Sequence, residues 1–128
     1  MIELIPITSI YAGILGILIV YLSFRVASKR MSNKIGIGDG GLDELTQAIR
    51  VQGNAVEYVP LALILQLLLE INGVQAAILH ALGGALVLGR VMHAWGLSNS
   101  AGVSLGRLYG TMITWIVILS AAILNILL

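Results

Sequence analysis

The sequence predicts an all-α membrane protein, a four-transmembrane-helix bundle. Composition gives the first reason: 59% of the 128 residues are hydrophobic and only 10% are charged, against about 25% charged in a soluble domain. Mean hydropathy, at +1.01, gives the second. The third is spacing, because the few charges are separated by runs long enough to cross a bilayer. Together these exclude an ordinary soluble domain and a disordered chain. A net charge of +1 without a basic patch argues against nucleic acid as a partner. The absence of cysteine excludes disulfides, thiolate metal sites and a cysteine nucleophile.

A spanning helix needs about 20 apolar residues. Leu4 to Phe24 is a run of 21 residues without Asp, Glu, Lys or Arg. Ile71 to Gly89 is a run of 19, and Leu108 to Leu128 a run of 21. Between Arg50 and Glu70 lie 19 residues whose only charge is Glu57. The expected spans are therefore about 4–27, 45–69, 73–97 and 105–127, within a single domain covering 1–128. The first reads as a retained span, since it lacks a basic leader and a small-residue cleavage site, and its apolar run is long. Residues 28–44 are polar and Gly-rich and read as a loop; 70–73 form a short hairpin turn, and 98–104 a further loop.

Lys and Arg set the orientation. All seven (Arg25, Lys29, Arg30, Lys34, Arg50, Arg90 and Arg107) belong to the first or third connection or the helix ends beside it. Those connections are expected in the cytoplasm, with both termini on the outer, periplasmic side. The outer half then offers only His80, read as structural.

On a helix, Arg50, Asn54 and Glu57 share a stripe about 60° wide, with Tyr58 beside it. Glu57 sits about 10 Å deeper than Arg50, where an ionisable group is costly and turns toward protein or a watery cavity. Two roles fit: an ion pair that fixes packing, or a polar pocket for a charged ligand. Arg90 and His93 are i, i+3 neighbours able to act together. No His, Asp and Glu cluster has metal-site spacing, so no metal is expected. Pro60 removes a ladder hydrogen bond just beyond Glu57. Gly102, Gly106 and Gly110 form a small-residue row that permits close helix approach, within or between subunits.

The run Arg50-Val-Gln52-Gly-Asn54-Ala-Val-Glu57-Tyr58-Val-Pro60 resembles the RxxxNxxExxP signature of the membrane-associated proteins in eicosanoid and glutathione metabolism, the MAPEG family. Gly38-Asp39-Gly40-Gly41, Ala48-Ile49-Arg50 and Gly89-Arg90-Val91-Met92-His93-Ala94 are similar to its bacterial branch, and Tyr21 through Arg30 to the end of the family's first helix. The second span looks most like that of leukotriene C synthase and the bacterial members, and the chain is similar to microsomal glutathione transferase. The resemblance implies a homotrimer in a bacterial inner membrane that binds glutathione as co-substrate between subunits and brings it to a hydrophobic electrophile or lipid.

In that reading Arg30 and Arg50 grip carboxylates through planar forks, and Glu57 takes the γ-glutamyl ammonium. Gln52, Asn54 and Tyr58 orient the peptide, with Arg90 and His93 beside them. The implied chemistry is thiolate attack, helped by a cation that stabilises the sulfur anion. The family's arginine near the start of the fourth helix aligns with Ser104, and Arg107 follows one turn later. Tyr109 matches the pattern, so Arg107 and Tyr109 are the expected catalytic pair. The alternative is a non-catalytic scaffold that presents a lipid.

Overall fold

The computed structural model describes residues 6–99 and 105–128. Four helices follow one another: α1 (Pro6–Asn33), α2 (Asp43–Ile71), α3 (Ala76–Asn99) and α4 (Leu105–Leu127). Each is long and apolar enough to cross a membrane. The described residues contain no strand. Residues 1–5, Gly102 and Ser104 lie outside the described residues.

Two boundaries differ from the expectation in an instructive way. The first helix continues past residue 27 to Asn33. Polar residues there end the apolar run, yet they include no helix breaker, so the helix continues beyond its hydrophobic part. It stops at Lys34, which adopts φ 57°, while the Ile35 amide donates to the Arg30 carbonyl at 3.0 Å. The third helix likewise runs to Asn99, two residues into the expected loop. At the opposite end α2 closes with a Schellman turn. Gly73 takes φ 82° and donates to the Glu70 carbonyl, and Val74 donates to the Leu69 carbonyl, both at 3.1 Å. Only a residue tolerant of positive φ fits there without cost.

Leu15, Val59, Ala62, Leu86 and Val117 form the central core, to which all four helices contribute. Helices α2 and α3 lie between α1 and α4, whose backbones stay apart across the bundle. The closest approach is α3 against α4. A Cβ built on Gly110 would fall 2.6 Å from the Gly89 carbonyl oxygen and from the His93 amide nitrogen. At Gly106 it would fall 3.0 Å from the Met92 carbonyl oxygen. Gly106 and Gly110 thus serve packing within the subunit. Missing side chains let the backbones meet and add dispersion contacts along the seam.

The end of the bundle away from the Lys and Arg cluster is richer in polar groups than His80 alone. Glu70 accepts from the Ile7 amide at 3.1 Å and the Thr8 amide at 2.8 Å. It therefore satisfies two first-turn donors of α1 that the helix itself leaves unpaired. Tyr11 Oη lies 2.8 Å from His80 Nδ1, and the Tyr11 ring packs on Gly83. Buried Gln66 donates to the Leu79 carbonyl at 3.3 Å, and Asn125 to the Leu65 carbonyl at 3.0 Å. His80, through Tyr11, belongs to a set of interhelical clasps.

Candidate functional site: a polar stripe on the second helix

The site is built on one exposed flank of α2. Its buried face carries Leu45, Ala48, Val51, Ala55, Val59 and Ala62 against the core. Helical periodicity then forces Arg50 and Glu57 onto the outer flank, in line with exposed Leu61, Ile64 and Leu68. Arg50 Nη1 stands 3.6 Å from Glu57 Oε1, and both side chains are about half exposed, at 55% and 54%. A charged pair inside a span, facing outward from its own subunit, is an unfinished arrangement. Facing hydrocarbon it would carry a heavy desolvation penalty.

Behind this pair sits a second cation. Arg90 on α3 is 1% exposed. One Nη donates to Asn54 Oδ1 and the other to the Thr114 hydroxyl at 3.3 Å, while Thr114 donates to the Gly110 carbonyl at 2.8 Å. His93 Nδ1 lies 3.5 Å from the same guanidinium, which is 5.9 Å from the centre of the Tyr58 ring. The Arg90 Nε has no hydrogen-bond partner among the described residues. A buried guanidinium held by an amide, a hydroxyl and a ring, with no carboxylate in hydrogen-bond contact among the described residues, keeps most of its positive field unneutralised. Glu57 and Tyr58 both lie within its electrostatic reach.

The other expected site residues fall into two groups. Gln52 lies beside the stripe and reaches Ser23 on α1 at 3.5 Å. Arg107, at the start of α4, is exposed, and together with Arg50 and Arg90 it exerts its charge on the His93 ring. The structure thus brings Arg50, Asn54, Glu57, Tyr58, Arg90, His93 and Arg107 to one end of the bundle. Arg30 is engaged elsewhere, donating to the Gly38 carbonyl at 2.7 Å and fastening the loop between α1 and α2. Tyr109 is 48% exposed. Because α4 is regular from Leu105, Tyr109 points about 200° away from Arg107, so one subunit does not place both around a single point.

Sequence reasoning missed Thr114 and Ser23. Thr114 carried a readable signal: it lies four residues after Gly110 and seven after Arg107, so it shares their side of the fourth span. The Asn54 amide was read as facing a ligand, and part of its capacity is taken up by Arg90.

Helix length and apolarity define an integral membrane protein of four spanning helices. A family model, the MAPEG family, matches residues 8–127, and the chain belongs to that family. It is similar to the "Inner membrane protein YecN" of Escherichia coli (strain K12), with 37% identity over 120 residues, covering 94% of this chain and 90% of that protein. The protein of the same name from Escherichia coli O6:H1 matches to the same extent.

Proposed function

We propose that the protein is a glutathione transferase or peroxidase-like enzyme of a bacterial inner membrane, adding glutathione thiolate to hydrophobic electrophiles at the cytoplasmic interface. The observation that carries this is the outward-facing Arg50–Glu57 pair backed by buried Arg90. Both signs of charge are presented side by side at one surface, which suits a zwitterionic peptide with two carboxylates and an ammonium. The pair separates on binding, Arg50 taking a carboxylate and Glu57 the ammonium, while Tyr58, Asn54 and Gln52 orient the backbone. Arg90 and His93 support this surface from behind. With the termini outside, the stripe opens toward the cytoplasm, where a soluble peptide meets a membrane-dissolved electrophile.

Arg107 is the candidate activator. It stabilises the sulfur anion after the thiol proton leaves to water, so that thiolate is present at neutral pH. The thiolate sulfur then forms a bond to the electrophilic carbon, and that carbon's leaving group departs with its electron pair. The exposed stripe also supports a homotrimer. A neighbouring chain would cover the charged pair and the apolar residues Leu61, Ile64 and Leu68 in line with it, and could bring its own Arg30 and Tyr109 to the site.

The test is displacement of chloride from chlorodinitrobenzene by glutathione with purified protein in mild detergent, together with the particle mass. Catalysed conjugation by particles three times the 13.6 kDa subunit mass is the expected result. Particles of one subunit that turn over no substrate would remove both proposals. One observation favours the second reading, a lipid-presenting scaffold: the opposed directions of Arg107 and Tyr109. In that case glutathione binds but no conjugate forms.

A further inference from the structure

On the α1–α3 side of the bundle, at the same end as the Lys and Arg cluster, lies a groove that the glutathione stripe does not use. It encloses about 310 Å³ and is walled by Leu18 and Leu22 of α1 and by Val91 and Ala94 of α3. That volume is at the small end of ligand sites, suited to part of one hydrocarbon chain. Two aromatic side chains flank it, Tyr21 at 58% and Trp95 at 69% exposure. Arg25 lines its upper edge. A contiguous hollow continues along α1 past Tyr21 and Arg25 to Ser28 and Lys29. Lys29 is 3.9 Å from Glu44, whose side chain is 62% exposed, so the charge of Lys29 is partly balanced.

From this geometry we propose that the α1–α3 groove is a binding site for an anionic phospholipid of the leaflet next to the cationic end. One acyl chain lies along Leu18, Leu22, Val91 and Ala94. The phosphate sits at Arg25, with the Ser28 hydroxyl and Lys29 one turn further toward water. Charge complementarity selects this occupant: the groove is apolar throughout its depth and cationic only at its edge. A basic pocket between spanning helices, with aromatic residues at headgroup level, has the chemistry that recognises anionic lipid. A cation on a long stem reaches the phosphate while its methylenes stay in hydrocarbon. The site stands on a different face from the α2 stripe and does not depend on glutathione chemistry.

The chain has two tryptophans, Trp95 and Trp115, so Trp115→Phe leaves Trp95 as a reporter at the groove. That variant is reconstituted with brominated phosphatidylglycerol or with brominated phosphatidylethanolamine of the same chains. Brominated phosphatidylglycerol is expected to quench Trp95 at about fivefold lower mole fraction, the factor expected for one surface cation. Adding Arg25→Gln is expected to erase the preference, and Arg25→Lys to keep it. Ala94→Leu, which fills the groove and keeps every charge, is expected to weaken quenching by phosphatidylglycerol. Equal quenching by the two lipids overturns the proposal and leaves a general acyl-chain slot. Absence of quenching by either lipid also overturns it, since the face is then covered by another copy of the chain. As a check on unsubstituted tryptophans, phosphatidylglycerol is expected to remain on the wild-type protein in native mass spectrometry and to be lost from Arg25→Gln. Equal retention by both proteins counts against the site.

Discussion

Two of the carboxylates on helix α2, Glu57 and Glu70, stand 13 residues apart, and the bundle uses them differently. Glu70 accepts from two amides at the start of α1, at 3.1 and 2.8 Å. Its charge meets the positive end of a helix dipole and its lone pairs are largely satisfied. Glu57 has Arg50 at 3.6 Å, a distance beyond a good hydrogen bond, and about half of its side chain faces outward. The same contrast extends to the neighbours of each. At the Glu70 end, Tyr11, His80, Gln66 and Asn125 each clasp a neighbouring residue or backbone carbonyl. At the Glu57 end, Arg90 holds Asn54 and Thr114 in place, while Arg50 and Glu57 in the outer layer stay about half exposed. One end closes on itself and the other remains open. That asymmetry, more than the number of polar groups, separates scaffold from candidate site.

The largest expected effect comes from removing the support beneath the open end. Gly110→Val puts methyl groups where the Gly89 carbonyl and the His93 backbone already stand, 2.6 Å from a first Cβ. Backbone cannot rotate aside as a side chain can, so α3 and α4 must separate and carry Arg90 away from Thr114. The cost is expected at or above the upper end of the roughly 1–3 kcal/mol typical of overpacking. Thermal unfolding in detergent measures it. A variant with wild-type stability would show that the α3–α4 seam is looser than described.

The two carboxylates can be exchanged as a direct test. Glu57→Gln is expected to leave unfolding unchanged and to weaken glutathione binding by about tenfold to a hundredfold, the value of a charge-assisted bond of roughly 1.5–3 kcal/mol. Glu70→Gln is expected to do the reverse, lowering stability by about 1 kcal/mol through the weakened cap on α1 and leaving binding intact. Calorimetry with glutathione and thermal unfolding of both variants decide it. If Glu57→Gln binds normally and unfolds early, the stripe is a packing ion pair and the ligand-pocket role is lost.

A smaller effect is expected at Arg107. If its charge stabilises the bound sulfur anion, Arg107→Ala raises the thiol pKa by about one unit and reduces thiolate near neutral pH by up to tenfold. Ultraviolet thiolate absorbance should fall and conjugation should slow in proportion, while capture through Arg50 and Glu57 is nearly unchanged. Unchanged absorbance and turnover would assign Arg107 to membrane anchoring.

These residues also show what the sequence made legible. Gaps between charges located four spans because only apolar residues can face lipid, and that constraint acts locally. The Arg50, Asn54 and Glu57 stripe was legible for the same reason, since i, i+4, i+7 spacing fixes a face whatever the rest of the chain does. Arg90 was harder to read. Near the end of a span a lone arginine resembles an anchor, and its burial depends on Asn54 and Thr114 from two other helices. Glu70 was hidden similarly: as a boundary charge it marked a span, and its work on α1, over 60 residues away in sequence, is a tertiary contact. Arg30 pairs with a carbonyl only eight residues on, yet the left-handed turn that brings Gly38 back has no simple periodic signal.

The smallest expected effect separates the loop from both ends of α2. Asp39 accepts from the Thr46 hydroxyl at 2.5 Å and from the Gly41 amide at 2.9 Å, fastening the loop onto the first turn of α2. The Thr46 bond, then the Gly41 amide, hold its carboxyl below the usual value of 3.8. A lowered folded pKa means the ionised form stabilises the fold. That contribution is complete above the unfolded value of about 3.9 and is lost as pH falls through the lower folded one. At pH 6, Asp39→Asn is therefore expected to speed amide exchange modestly at Gly41 to Thr46, compared with wild type under the same conditions. As pH falls below the unfolded value the two proteins should draw closer. Glutathione affinity should not change in either condition, because the loop supports the start of α2 about a turn before Arg50. A loss of affinity in Asp39→Asn at pH 6 would place the loop in the site and redraw the boundary between the closed and open parts of the molecule.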